Sequence, residues 1–276
     1  MYVDLHIHST FSDSSRSPEE IAAIAKARQV SCLSICDHSS IAAYSRFIAA
    51  CRQNAMRYAI GVEVGGTLRG ENYHVLAYHF DRENHDILEF IQAEKAVGDQ
   101  ECEDMIARMS RDYPVLSVED YQNYERPEEK GGWKYIHYAV AKGLFASYEA
   151  AGEFIFPNYF MESPGERSVE EVCSRIRKAR GVPVLAHLGY VYQRNPDAFL
   201  SFLRDMCDRG IEGIECYYPS HGTDVTKLCL AFCRKNDLRI TTGSDCHGAY
   251  DKTPGFTIGS MKISRDMLDL RGILEE

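Results

Sequence analysis

The chain has 276 residues, 45% hydrophobic and 26% charged, which is enough to bury a full core as one large α/β domain or as a domain with an insertion. Its 31 basic and 41 acidic residues leave a formal charge of -10, which argues against a broad phosphate-binding face for duplex nucleic acid and means that a small anionic ligand needs local help. No apolar run approaches a membrane span, no leader pattern opens the chain, and most of the ten cysteines sit in apolar patterns without a CxxC pair, so a cytoplasmic protein with buried thiols is expected.

The first predicted strand, Tyr2 to Ile7, runs into a polar turn that reads HSTFSDSS and carries Asp13. Alternate side chains share one face of a strand, so His6 and His8 point the same way. Two neutral imidazoles with a carboxylate close by suit a divalent transition ion. Ser17-Pro18-Glu19-Glu20 then starts a helix, with a Ser cap, Pro at the first helical position and Glu three residues after the cap. A second buried strand, Cys32 to Cys36, ends in Asp37-His38. After a helix from Ile41 to Gln53, a third strand, Tyr58 to Val64, carries Glu63, whose burial is costly unless it is paired or bound to a metal. Gly65-Gly66 and Gly70 predict a turn into a further strand, Tyr73 to Tyr78, with His74 near its start.

From about Asp81 to Pro164 the β pattern stops and a helical insertion is expected, with Gly131-Gly132-Trp133-Lys134 as the tight entry to one of its helices. Its role is either to cap the fold or to close over a substrate. The α/β rhythm returns at Ser168. Three helices feed the strands Val182 to Ala186, Ile211 to Cys216 and Arg239 to Gly243, which are followed by His187, by His221, and by Ser244-Asp245-Cys246-His247. Alternating strands and helices imply a parallel sheet or barrel with its chemistry at the C-terminal ends of the strands. Of ten histidines, His6, His8, His38, His74, His187 and His247 lie at or just beyond strand ends, joined by Asp13, Glu63 and Asp245, where random placement would scatter them.

Four motifs, Asp4-Leu5-His6-Ile7-His8 with Asp13, Asp37-His38, Ala186-His187 and Gly243-Ser244-Asp245-Cys246-His247, make the chain resemble the polymerase and histidinol phosphatase (PHP) family of metal-dependent phosphoesterases. The resemblance implies a distorted (β/α)7 barrel over residues 1–80 and 165–276. The segment 81–164 resembles the helical insertion of the branch that includes nucleotide phosphatases and an RNA 5′-end exonuclease. It also implies two or three divalent ions, manganese first, with zinc or iron as alternatives. His6, His8, Glu63 and Asp245 resemble one ion site. Glu63, His74 and His187 resemble a second, bridged by Glu63, and Asp13, His38 and His247 a third.

Such a centre would turn part of an acidic chain cationic, which suits in-line displacement at phosphorus. Neither a GxxxxGK[ST] nor a GxSxG pattern occurs, so phosphate-loop and serine-hydrolase chemistry lack their parts. The expected function is hydrolysis of a small phosphomonoester, with AMP or a 3′,5′-bisphosphate nucleotide as the substrate. The alternatives are 5′-3′ trimming of short RNA, histidinol phosphate hydrolysis and a non-catalytic metal-binding module. No membrane partner is expected. Asp245 and His221 are the expected catalytic groups, His221 as a substrate or proton-transfer residue. Where relatives follow Ala-His with Pro and an Arg, this chain has Leu188-Gly189-Tyr190, leaving Arg194 and Lys134 as candidate phosphate cations. Asp37 is expected to orient a neighbouring ligand.

Overall fold

The computed structural model describes residues 1–160 and 167–274, so the expected boundary at 164–165 lies outside the described residues. The elements in chain order are β1 (Tyr2–Ile7), α1 (Pro18–Ala27), β2 (Val30–Ile35), α2 (Tyr44–Gln53), β3 (Arg57–Tyr58), β4 (Gly61–Leu68) and β5 (Glu71–Tyr78), followed by α3 (His85–Asp112), α4 (Val118–Asn123), α5 (Lys134–Ala141) and α6 (Tyr148–Tyr159). The remainder is α7 (Val169–Lys178), β6 (Val182–Leu185), α8 (Gly189–Arg194), α9 (Phe199–Asp208), β7 (Gly213–Tyr217), α10 (Thr223–Asn236) and β8 (Arg239–Thr242). Ser17 and Glu20 form the expected capping box of α1. No helix among the described residues is long and apolar enough to cross a membrane.

The fold is mixed α/β. β1, β2 and β3 form a parallel sheet, and β4 to β8 form a second sheet in sequential order. Within it β5 runs antiparallel to β4 and β6, while β6, β7 and β8 are parallel. The two sheets are stitched to each other at two seams. At one, Asp245 N–H donates to His6 O (2.7 Å) and His8 N–H to Cys246 O (3.1 Å). At the other, Ser39 N–H donates to Glu63 O (2.8 Å) and Glu63 N–H to Asp37 O (3.3 Å). Across the interior, the fully buried Tyr78 of β5 donates its hydroxyl to Leu5 O of β1 at 2.8 Å, within an apolar cluster that also holds Val3, Leu76 and Val184.

Two expectations are corrected. The strand expected from Tyr58 to Val64 is broken at Ala59-Ile60, so that β3 pairs with β2 and β4 with β5. Gly65 and Gly66 lie inside β4 and not in a turn; a Cβ on Gly66 would stand 3.2 Å from Val169 Cα, so the glycine lets α7 pack closely. The turn is Arg69-Gly70, with φ of 54° and 81°, the pair of left-handed conformations a two-residue hairpin needs.

Helix α3 is 28 residues long, about 42 Å, and serves two cores. Ile87, Phe90 and Ile91 in its first half join the main cluster, whereas Met105, Ile106 and Met109 join a separate one with Tyr121, Tyr135 and Ile155.

Candidate metal centre

Nine donor side chains gather at one rim, most of them from strand ends. His6 lies in β1 and His8 directly after it, and the loop beyond carries Asp13; His38 follows β2, Glu63 lies near the start of β4, His187 follows β6, and Asp245 and His247 follow β8. His74 reaches the same rim from the middle of β5, opposite Gly65 of β4. An antiparallel strand presents its beginning where its parallel neighbours present their ends, so the hairpin at Arg69-Gly70 decides where His74 goes. His187 (φ 33°) and Asp245 (φ 51°) both sit in the left-handed region just after a strand, a strained conformation that tends to gather at functional sites.

Three groups have donor atoms within 4.8 Å of one another: His6, His8, Glu63 and Asp245; His38, Glu63 and His74; and His8, Asp13, His38 and His247. His187 joins the second through Nε2, 3.0 Å from Glu63 Oε1 and 3.2 Å from His74 Nδ1. The structure thus brings together all nine donors singled out in the sequence. It also places His8 and His38 each in two groups.

The chemistry of the donors tests whether divalent ions fit. His6 Nδ1 lies 3.1 Å from Glu215 Oε1; a carboxylate only accepts, so Nδ1 carries the hydrogen and Nε2 of a neutral ring turns a lone pair inward. That Nε2 is 3.2 Å from His8 Nε2 and 3.4 Å from Glu63 Oε2, a buried oxygen that accepts no hydrogen bond. His8 Nε2 and His38 Nδ1 each stand 3.2 Å from the same oxygen. Acceptors packed this closely need protons or cations between them. Burial disfavours charge on His6 and His8, but Asp245, Glu63 and Glu215 around His6, and Asp13 beside His8, hold both imidazoles well above their usual range. Protons do not satisfy every ring, because burial, assisted by His8 and His74, pushes His38 down to about 4 against the pull of Glu63 and Asp13. Imidazole and carboxylate donors without thiolate fit divalent ions, and Glu63 and the histidines would hold them.

Several residues hold this arrangement, and of them only Asp37 was given a role from sequence. Glu215 of β7 accepts from the His6 ring through Oε1 and from His187 N–H through Oε2 at 3.0 Å, linking two groups. Asp4 accepts from Ser244 N–H (2.9 Å) and Gly259 N–H (2.7 Å), fixing the loop of Asp245. Tyr218 donates to Asp245 Oδ2 at 2.7 Å. Asp37 accepts from Ser9 N–H (2.7 Å), Ser9 Oγ (2.6 Å) and Ser12 Oγ (2.5 Å), and so ties down the loop that carries Asp13. The signal for Glu215 and Asp4 is an acidic residue inside an otherwise apolar strand.

A cavity of about 290 Å³ opens on the centre, lined by His38, Glu63, His74, His187, Asp245 and His247 with Tyr190, Tyr218 and Ser220. Among the described residues, no lysine or arginine is in this lining. Arg194 instead pairs with Glu71 at the hairpin at 2.5 Å, and Lys134 lies over the Tyr121 ring with Nζ 3.4 Å from Gln122 O. The structure therefore does not bring either expected phosphate cation to the cavity. Each satisfies a local partner nearer in the chain or on the adjoining element. His221 is adjacent, its ring 5.3 Å from Tyr218, and its Nδ1 is 3.2 Å from Cys216 O. A carbonyl only accepts, so Nδ1 holds the hydrogen and the buried, unpartnered Nε2 is an acceptor. Burial also lowers the pKa of this ring, which favours the neutral form.

A mixed α/β fold with an imidazole and carboxylate centre along one rim defines a class of metal-dependent proteins. The chain belongs to the PHP family, for the PHP domain matches residues 4–179. It is 23% identical over 251 residues to a 5′-3′ exoribonuclease of Haemophilus influenzae, covering 88% of this chain and 89% of the relative. It is 27% identical over 279 residues to a phosphoribosyl 1,2-cyclic phosphate 1,2-diphosphodiesterase of Eggerthella lenta, covering 94% and 99%. A 3′,5′-nucleoside bisphosphate phosphatase of Chromobacterium violaceum is 23% identical over 253 residues, covering 89% and 87%. A solved structure from Bifidobacterium adolescentis, assigned as a metal-dependent phosphoesterase, superposes with a TM-score of 0.79 at 23% identity, covering 100% of this chain and 97% of that one, and shares the fold.

Proposed function

We propose that the protein is a metal-dependent phosphoesterase that releases phosphate from a small phosphomonoester, with a nucleotide such as AMP or a 3′,5′-bisphosphate as substrate. The observation that carries this reading is the convergence of imidazole nitrogens on Glu63, in a cavity that no lysine or arginine lines among the described residues. Ions held there would meet the charge of an entering phosphate group. Bound divalent ions supply positive charge for phosphoryl oxygens and a lowered pKa for attacking water. Manganese is the proposed ion, and the same donors suit zinc or iron.

The chain's own groups have distinct tasks in this reading. Glu63 would help to hold two ions, one with His6, His8 and Asp245, the other with His74 and His187. Asp13, His38 and His247 serve a third. Asp245 presents Oδ1 to His6 and His8 while Tyr218 holds its other oxygen. His221, neutral and with a buried, unpartnered Nε2 as acceptor, would take a proton or bind a substrate hydroxyl. The strands joined at both seams are read as a distorted (β/α)7 barrel, and the helices between β5 and α7 as an insertion over its rim.

The test is a screen with manganese added, comparing nucleoside monophosphates, bisphosphates, histidinol phosphate and oligonucleotides of increasing length. Preference for the nucleotide monoesters is expected; no release of phosphate from any of them would end this reading. The second reading is diester hydrolysis. It draws on two relatives, the exoribonuclease and the cyclic-phosphate diesterase, the latter covered over 99% of its length. A cyclic phosphate or an oligonucleotide hydrolysed faster than its monoester counterpart would favour it.

A further inference from the structure

We propose that Arg126 is a positioning residue for the ion site formed by His8, Asp13, His38 and His247. This rests on the reading of that cluster as an ion site. Arg126 lies between α4 and α5, more than a hundred residues from the loop it grips. Its Nη1 donates to Ser12 O at 3.0 Å and to Gly132 O at 2.5 Å, and its Nη2 donates to Thr10 O at 2.9 Å. A guanidinium is a rigid planar fork, so three carbonyls taken at once fix the path of the loop as well as its distance. Ser12 is the residue before Asp13. Asp37 holds the same loop from the other side through Ser9 and Ser12, so an anion collects its N–H and hydroxyl donors while a cation collects its carbonyls.

The contact is a close one. A Cβ on Gly131 (φ 57°) would fall 1.7 Å from Ser14 O and 3.0 Å from Thr10 Cα, so only glycine lets the two backbones meet here. The same segment touches the other members of the cluster. The Trp133 ring stacks on His38 at 6.0 Å, and Tyr250, three residues beyond His247, donates to Lys130 O at 2.7 Å. Residues 126–133 thus brace three separate chain segments that must meet for Asp13, His38 and His247 to share one ion. Groups that orient ligands without binding the ion typically change affinity or activity about 10- to 100-fold when lost.

The full-length protein and its Arg126→Met and Arg126→Lys variants should be stripped with chelator and titrated with Mn2+, reading ions per chain, kcat and KM for a small phosphoester. At a concentration that saturates the wild type, Arg126→Met is expected to hold about one ion fewer, with kcat down roughly 10- to 100-fold, KM unchanged, and activity returning as Mn2+ is raised. Arg126→Lys, a point charge without the fork, should lie between. Unchanged ion content and kcat in Arg126→Met would overturn the proposal, as would a raised KM with full ion content, which would mean substrate contact. If Arg126→Met does not fold, Gly131→Ala, which displaces Ser14 O without touching the guanidinium, should show the same selective loss; full ion content there overturns the proposal. A wild type that binds no divalent ion defeats the phosphoesterase reading itself, whereas a wild type that binds ions with an indifferent Arg126→Met defeats only the role of Arg126.

Discussion

Glu63 and Glu215 are both buried carboxylates at the centre, and they differ in what their oxygens face. Both oxygens of Glu63 face imidazole nitrogens within 3.4 Å, whereas both oxygens of Glu215 accept N–H groups. Glu63→Gln should therefore loosen two ion sites together, while Asp13→Ala should empty mainly one. Metal analysis of the two variants decides it, and equal retention in both would remove the bridging role. Glu215→Gln must place an amide donor against either the His6 ring N–H or the His187 backbone N–H. Ion affinity is expected to fall about 10- to 100-fold with the fold kept. Circular dichroism with an Mn2+ titration measures both, and wild-type affinity would show that Glu215 does not orient these ligands.

Elements reach the rim through two devices, a reversed strand and a close seam. The reversed strand is β5, which brings His74 opposite Gly65 of β4 and to the end of β6. The seam is where β8 meets β1, at Gly243. A Cβ there would lie 2.2 Å from His6 Cβ and 2.4 Å from Glu215 Oε1. Neither atom belongs to the tip of a flexible chain with room to move, since His6 and Glu215 are fully buried. Gly243→Ala should cost about 1–3 kcal/mol and lower the unfolding midpoint by roughly 2–12 °C. The same variant should lose activity out of proportion, because the displaced ring is that of His6. A thermal melt beside an assay reads both effects.

For the molecule as a whole, the centre stores unlike charges that ions would keep apart from water. A ligand that binds only the folded state adds about 2.7 kcal/mol at a hundred times its dissociation constant, so chelation is expected to lower the melting midpoint by roughly 5–10 °C while the apolar core keeps the fold. The ion-free protein should also respond to pH. Burial opposes charge on His247, but Asp13 prevails and raises it from 6.5 to about 10. A raised imidazole contributes stability that is complete below about 6.5 and lost as pH rises through about 10. Stripped protein should therefore lose stability more steeply between pH 7 and 10 than loaded protein, in which an ion has replaced the proton. Parallel slopes in the two forms would show that His247 holds no proton for an ion to displace.

The amino-acid order by itself determined most of the donors, because their signals are local. His6 and His8 share a face through the period of a strand, Asp37-His38 and Ser244-Asp245-Cys246-His247 close buried runs, and Ser17 to Glu20 caps a helix. Only the tertiary structure decided how they meet. Glu63 and His187 are 124 positions apart, Arg126 and Thr10 are 116 apart, and no periodicity relates such pairs. The direction of β5 turned on two left-handed residues, which set whether His74 faced the rim or the opposite end. Arg194 and Lys134 went to other partners for the same reason: a long cationic side chain settles on the nearest carboxylate, carbonyl or ring, and which of these is nearest is fixed by packing between elements and not by sequence distance.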